Sequence, residues 1–188
     1  MKQKQIKVPF SANDLSSLRA GDFVLLSGTI FTARDAAHKR LIEGWAAGIA
    51  PPIDLQNQVI YYVGPAPAKA GHVIGPAGPT TSVRMDPYTL PLLERGVKGL
   101  IGKGYRGATV KAALVRHKAI YFAAIGGAAA LLSKQIQQSA IVAYADLGTE
   151  AIRKLDVIDF PLIVVHDCLG GDAYKSGQAK FACLSGEE

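Results

Sequence analysis

The segment at 22–33, DFVLLSGTIFTA, constrains the fold of this chain more than any other. It is dense in Val, Leu, Ile and Phe, the residue types that favour strands. A strand this apolar needs cover on both faces, so more than one layer has to be built around it. Gly28 permits a bend or bulge in its middle. The residues that follow, ARDAAHKRLIEGWAAG, supply a cover: Ala37, Leu41, Ile42 and Trp45 form an apolar helical stripe, with Asp35 placed to cap it.

The same alternation runs along the chain. Residues 1–10 set Ile6, Val8 and Phe10 between polar neighbours, as a strand at a sheet edge does, and SANDLSSLRAGD gives a short helix ending at Gly21. After a turn-rich connection at 50–57, strands are expected at 59–66, in the apolar run VKGLIG and at Ala119–Ala123. Helices are expected over PYTLPLLERG, Thr109–His117 and Ala128–Ile136, with Gly126–Gly127 turning into the last of these. A strand begins near 140, a short amphipathic helix is expected around Glu150–Leu155, a strong strand closes at Leu162–His166, and the tail from Gly170 reads as frayed, with a polar tail from about 173. Strands alternating with short helices give an α/β class. The strand pieces outnumber clear βαβ units, so a mixed sheet or two small β layers is expected, with a doubly wound sheet as the alternative. The length, 188 residues, fits one domain spanning 1–188.

Net charge is +6 with a pI near 9.3. A basic balance fits nucleic acid, an acidic membrane or a small anion. Outside the N-terminus no Lys/Arg run exceeds HKR at 38–40, and the aromatics are scattered, so nucleic acid is the poorest of the three. No apolar run approaches the ~20 residues that span a bilayer, and MKQKQIKVPF is no signal peptide, which gives a cytoplasmic expectation. Cys168 and Cys183 are too few for a four-cysteine zinc or iron–sulfur site and are expected as reduced, inert thiols.

The small anion has an evident receptor. GPAGPTTSVRMD places Thr80, Thr81, Ser82, Arg84 and Asp86 on a glycine/proline loop, and Lys103 stands between two glycines after an apolar run. Arg grips a carboxylate with a planar fork and Lys adds a point charge. Arg34 and Asp35 form a second polar junction at a helix start, with His38 in the first turn. Each has a plainer reading. Either arginine alone can be solvated, Asp35 can be only an N-cap, the three hydroxyls can cap the next helix, and His38 can be an edge histidine. His72, His117 and His166 have no spacing partners and read as structural.

Three of these segments together, GTIFTARDAAHKRL at 28–41, GPTTSVRMD at 78–86 and IGKG at 101–104, resemble the β subunit, or C-terminal domain, of class I iron–sulfur fumarate hydratases and the related L-tartrate dehydratases. YYVGPAPAKAG, IGGAAALL and LGTEAIRKLDVIDFP extend the resemblance from about Val8 to Asp172. It implies a swivelling β/β/α fold and a cluster-bearing α partner. That partner would hold a [4Fe–4S] cluster on three cysteines, in an α2β2 assembly, with no metal on this chain and no turnover without the α subunit. It also implies Thr80 as the base that takes the C3 proton of malate, with Arg34, Thr81, Ser82, Arg84 and Lys103 around the substrate. Asp35 and His38 are the more conventional acid/base candidates, with His38 expected to titrate near neutrality. Val83 departs from the small residue of many relatives. Ala36–Ala37 leans towards the fumarate rather than the tartrate enzymes. A stand-alone dicarboxylate-binding module without catalysis is the competing expectation.

Overall fold

The computed structural model describes residues 3–182. Seven strands form one sheet: β1 (Gln3–Val8), β2 (Phe23–Thr32), β3 (Val59–Tyr61), β4 (Gly99–Gly102), β5 (Ile120–Ala123), β6 (Ile136–Ala143) and β7 (Ile152–His166). Parallel pairing runs β2–β3–β4–β5. The long β7 then pairs antiparallel with both β5 and β2, which closes these five strands into a ring. β1 lies parallel on the first half of β2, and β6 lies antiparallel on β7. The α/β class with mixed strand directions is therefore as expected, while the doubly wound alternative is not what forms.

Ring closure explains the sequence pattern. In β3 and its continuation Val59, Tyr61 and Val63 point into the ring, while Ile60 and Tyr62 point outward, and all five are buried. A short α1 (Ala12–Ser17) links β1 to β2, and the outward face is covered by α2 (Asp35–Ala46), α3 (Asp86–Glu94) and α4 (Ala108–Arg116), through Ala37, Leu41, Leu92, Leu93, Val110 and Leu114. Each of these leucine and valine side chains contributes about 1.5–3 kcal/mol by leaving water. β2 bends at Gly28, where a Cβ would strike the backbone of Val8 and the β2–β7 register shifts.

Several local expectations change. Glu150–Leu155 is not a helix: a 3₁₀ turn spans Ala145–Glu150 and β7 starts at Ile152. The i, i+3 spacing of Ile152 and Leu155 looks helical, but hydrogen bonding to β6 on one side and β2 on the other fixes the extended form. The helix expected over Ala128–Ile136 shrinks to α5 (Ala129–Ser133), because Ile136 already belongs to β6. The strand expected at 59–66 ends at Tyr61. The tail is not frayed from 173: α6 (Ala173–Phe181) forms there, its N-terminus capped by Asp172, which accepts from the Lys175 amide at 3.0 Å. Cys183 lies outside the described residues. No helix among the described residues is long and apolar enough to cross a membrane.

Candidate functional site

Because β2 to β5 run parallel, their C-terminal ends share one rim, the end of an open or closed α/β sheet where ligands are usually bound. Arg34 and Asp35 follow β2, Gly64 follows β3, Lys103 follows β4 and Gly126 follows β5. The residues picked out as two separate motifs thus meet in space.

The 80–84 loop is pinned to the end of β4. Thr80 donates its amide to the Tyr62 carbonyl at 2.7 Å and accepts from the Lys103 amide at 3.2 Å, and the Ser82 amide donates to the Lys103 carbonyl at 2.9 Å. Thr81 and Lys103 form a parallel bridge that sets their side chains next to each other, both exposed. The Lys103 stem passes Gly126. Among the described residues its amine makes no ion pair.

Arg84, at the end of this loop, turns its fork onto Asp35. Nε lies 3.0 Å from Oδ1 and Nη2 lies 2.6 Å from Oδ2. This bidentate pair ties the loop to the start of α2. Asp35 is therefore the first residue of α2 and not its N-cap; Arg34 occupies the N-cap position without a side-chain capping bond. The cap comes from Glu150, whose Oε2 accepts from the Ala36 amide at 2.7 Å while Oε1 lies 3.3 Å from Nη2 of Arg34. Nε of Arg34 is 3.9 Å from Asp35. Charges of alternating sign thus run Glu150, Arg34, Asp35, Arg84, with Lys103 beside them as the surplus cation.

The remaining candidates lie beneath this shelf. Ser82 is fully buried, and the Tyr121 hydroxyl lies 2.9 Å from its Oγ and 2.9 Å from the Gly104 carbonyl. His38 is also buried, stacked on Tyr88 and edge-on to Tyr62. Its Nδ1 lies 2.8 Å from the Arg34 carbonyl, which can only accept, so Nδ1 carries the proton. Burial pushes its pKa down to about 4, against a smaller upward pull from that hydrogen bond. The expectation of an imidazole titrating near neutrality is corrected: His38 is neutral at pH 7, because imidazolium would be desolvated there.

Two residues that sequence reasoning missed hold this floor. One is Glu150, which lies in the segment read as a helix. The other is Arg106, whose side chain is fully buried: Nε bonds Asp86 at 2.6 Å, Nη2 bonds Thr89 at 2.6 Å and Nη1 reaches the Tyr62 hydroxyl at 3.3 Å. Its guanidinium also sits over the Tyr62 and Tyr121 rings. Burial works against the Arg106 charge, but Tyr62 and Asp86 outweigh it and hold the pKa above its ordinary value. Asp86, singled out beside Arg84, is thus the counter-ion of this brace.

The residues do not fit a metal cluster. Among those described, no group of three His, Cys, Asp or Glu could hold a metal ion. Cys168 is buried away from the rim, its Sγ 3.4 Å from the Leu15 carbonyl, beside a 620 Å³ cavity at the N-terminal ends of β3 to β5. That cavity is mainly apolar, and the amine of Lys98 on its wall already bonds the His117 carbonyl. The two arginines and Lys103 lie at the opposite rim.

Comparison with known proteins places this arrangement. Over residues 1–177 the chain matches the model of a family described as Fumarase C-terminus. It is 39% identical over 163 residues to Fumarate hydratase 2 of Leishmania major, and 41% identical over 152 residues to the anaerobic class I fumarate hydratase of Escherichia coli. These matches cover 86% and 80% of this chain but 29% and 28% of those proteins, so the chain spans under a third of their length. It is also 34% identical over 185 residues to the β subunit of L(+)-tartrate dehydratase of E. coli, covering 96% of this chain and 90% of that subunit. With nearly its whole length matched, the chain belongs to the Fumarase C-terminus family.

Proposed function

We propose that this chain is the β-type half of a hydro-lyase that interconverts fumarate and malate, holding the substrate carboxylates against a separate α-type subunit. The observation that carries it is the rim itself: two oriented arginines and an uncommitted lysine, beside a loop of hydroxyls pinned to β4. Hydration of fumarate adds water across a C=C bond flanked by carboxylates. In reverse, a base takes the C3 proton of malate and the C–H electron pair moves into the adjacent carboxylate, which gains aci character. The return of that pair forms the C=C bond as the C2 hydroxyl departs, so that one water is lost in all. Donors fixed before the reaction stabilise that charge without reorganising. Arg34, Arg84 and Lys103 act there, with Thr81 adding a hydrogen bond.

Thr80 is the proton acceptor that the family resemblance assigns. An alcohol is a poor base on its own, and the cations on the same rim favour its alkoxide. Asp35 orients Arg84, and His38 and Ser82 support the shelf from below. A [4Fe–4S] cluster belongs to the α-type partner in this reading, the assembly is α2β2, its location is cytoplasmic, and this chain alone does not turn over.

L-Tartrate is the second substrate to consider, because the full-length match is to a tartrate dehydratase β subunit. A non-catalytic dicarboxylate module is the third reading. One experiment separates all three: add a cluster-bearing α-type subunit anaerobically and assay fumarate, L-malate and L-tartrate, with Arg84→Ala and Lys103→Ala alongside. Activity with fumarate and malate that both substitutions abolish supports the proposal. Full activity in either variant removes that residue from the site. Dicarboxylate binding by calorimetry that no α subunit alters favours the module.

A further inference from the structure

We propose that Glu150 is a positioning residue: it aims the Arg34 guanidinium at the substrate, acting from a segment 114 positions away in sequence from the helix it caps. The inference rests on the hydro-lyase reading for its kinetic consequences, but its geometry stands independently.

Three observations converge. First, Arg34 has few other restraints. Its Nε is buried and has no hydrogen-bond partner among the described residues, and Asp35 at 3.9 Å is too far to supply one, so Glu150 at 3.3 Å is the closer carboxylate. Second, Asp35 is already occupied by both nitrogens of the Arg84 fork. Without Glu150, one carboxylate would have to serve two arginines, and the spacing between the guanidiniums would no longer be set. Third, Gly64 leaves the space that the Arg34 side chain occupies. A Cβ there would come 2.6 Å from Nη1 and 3.1 Å from Cδ of Arg34, and 3.3 Å from the carbonyl of Thr149, the residue before Glu150. Gly64 thus leaves room for the guanidinium that Glu150 draws.

A structural role alone is the competing explanation, since Glu150 also caps α2 through the Ala36 amide. Glu150→Gln separates the two. The amide oxygen still accepts from Ala36, so the cap persists, but the attraction to Arg34 is lost. Gly64→Ala displaces the same guanidinium while keeping the Glu150 carboxylate that caps α2.

The test uses the reconstituted two-subunit enzyme and the ¹⁵N-labelled full chain. Glu150→Gln is expected to lower kcat/KM for fumarate and malate about tenfold, part of it in kcat because Arg34 holds the charge that develops in the reaction, with Tm within about 2 °C. Glu150→Asp, which keeps the charge on a shorter arm, falls between it and the parent. Gly64→Ala gives a similar kcat/KM, and the double variant is clearly less than additive because both changes act on one side chain. In the isolated chain the Arg34 Nε–Hε resonance, assigned with Arg34→Lys, shifts in Glu150→Gln and in Gly64→Ala. An unmoved resonance overturns the proposal, as does an unchanged kcat/KM. A loss of activity only in step with a lowered Tm overturns it in favour of capping. If the complex turns over no dicarboxylate, the hydro-lyase reading fails by itself, and the Arg34 resonance still decides whether Glu150 positions that group.

Discussion

Lowering the pH should destabilise this domain through His38, by an amount that its surroundings fix. In the folded chain burial holds its pKa at about 4, against an ordinary value of 6.5. An unfolded chain therefore binds the proton more readily than the folded one between these two values. Stability is retained above pH 6.5 and is lost as the pH falls towards 4. Linkage with those values gives a loss of about 2 kcal/mol between pH 7 and pH 5, or of about 3 kcal/mol over the whole window. Urea unfolding followed by circular dichroism at pH 7, 6 and 5 measures it. His38→Asn is the control, since its amide nitrogen can replace Nδ1 as donor to the Arg34 carbonyl but does not titrate. The variant is weaker at pH 7 because it loses the ring packing on Tyr62 and Tyr88. Its deficit should shrink by about 2 kcal/mol at pH 5. His166, whose pKa burial also lowers, contributes equally to both proteins and cancels. Deficits that agree to within about 0.5 kcal/mol at both pH values would refute a buried neutral His38.

Three other perturbations probe the frame. Arg106→Met leaves the Asp86 carboxylate without its buried partner and should cost about 3 kcal/mol in urea unfolding, and Arg106→Lys should recover little because one amine cannot reach Asp86, Thr89 and Tyr62 together. Gly102→Ala should cost about 2–3 kcal/mol, because the added methyl overlaps Ser82 Oγ and comes 2.9 Å from the Tyr62 ring, and the shifted 80–84 loop should raise KM in the reconstituted enzyme. Asp172→Ala removes both the α6 cap and the partner of Lys111 at 2.7 Å, so amide exchange over 173–181 should accelerate while β7 stays protected.

Much of this was legible from residues alone, for a physical reason. The strand at 22–33 announced itself through its side chains, a local property, although only one face, with Val24, Leu26 and Ile30, is fully buried and the other is half-buried. The rim loops announced themselves because Thr80 and Arg84 are polar groups on a glycine/proline loop, and because Lys103, between two glycines, has little structural purpose of its own. Ring closure was not legible, since it depends on β7 reaching both β2 and β5, and no local period encodes a partner more than a hundred residues away. The misread helix at 150–155 concealed Glu150 for the same reason. Its carboxylate looked like one charge on an amphipathic face until β7 placed it against α2. Arg106 was missed because a lone arginine after a glycine turn carries no mark of burial. Only Asp86, Thr89 and the two tyrosine rings reveal it as a brace.

The central claim is that this chain supplies a carboxylate-binding half-site to another subunit. The most direct measurement is the initial rate of malate dehydration, under anaerobic conditions, for this chain alone, for an α-type subunit alone and for the two together. Turnover only in the mixture, lost with Lys103→Ala while complex formation on a sizing column is retained, is the predicted result. Turnover by the chain alone, or an unaltered rate in the Lys103→Ala complex, would contradict it.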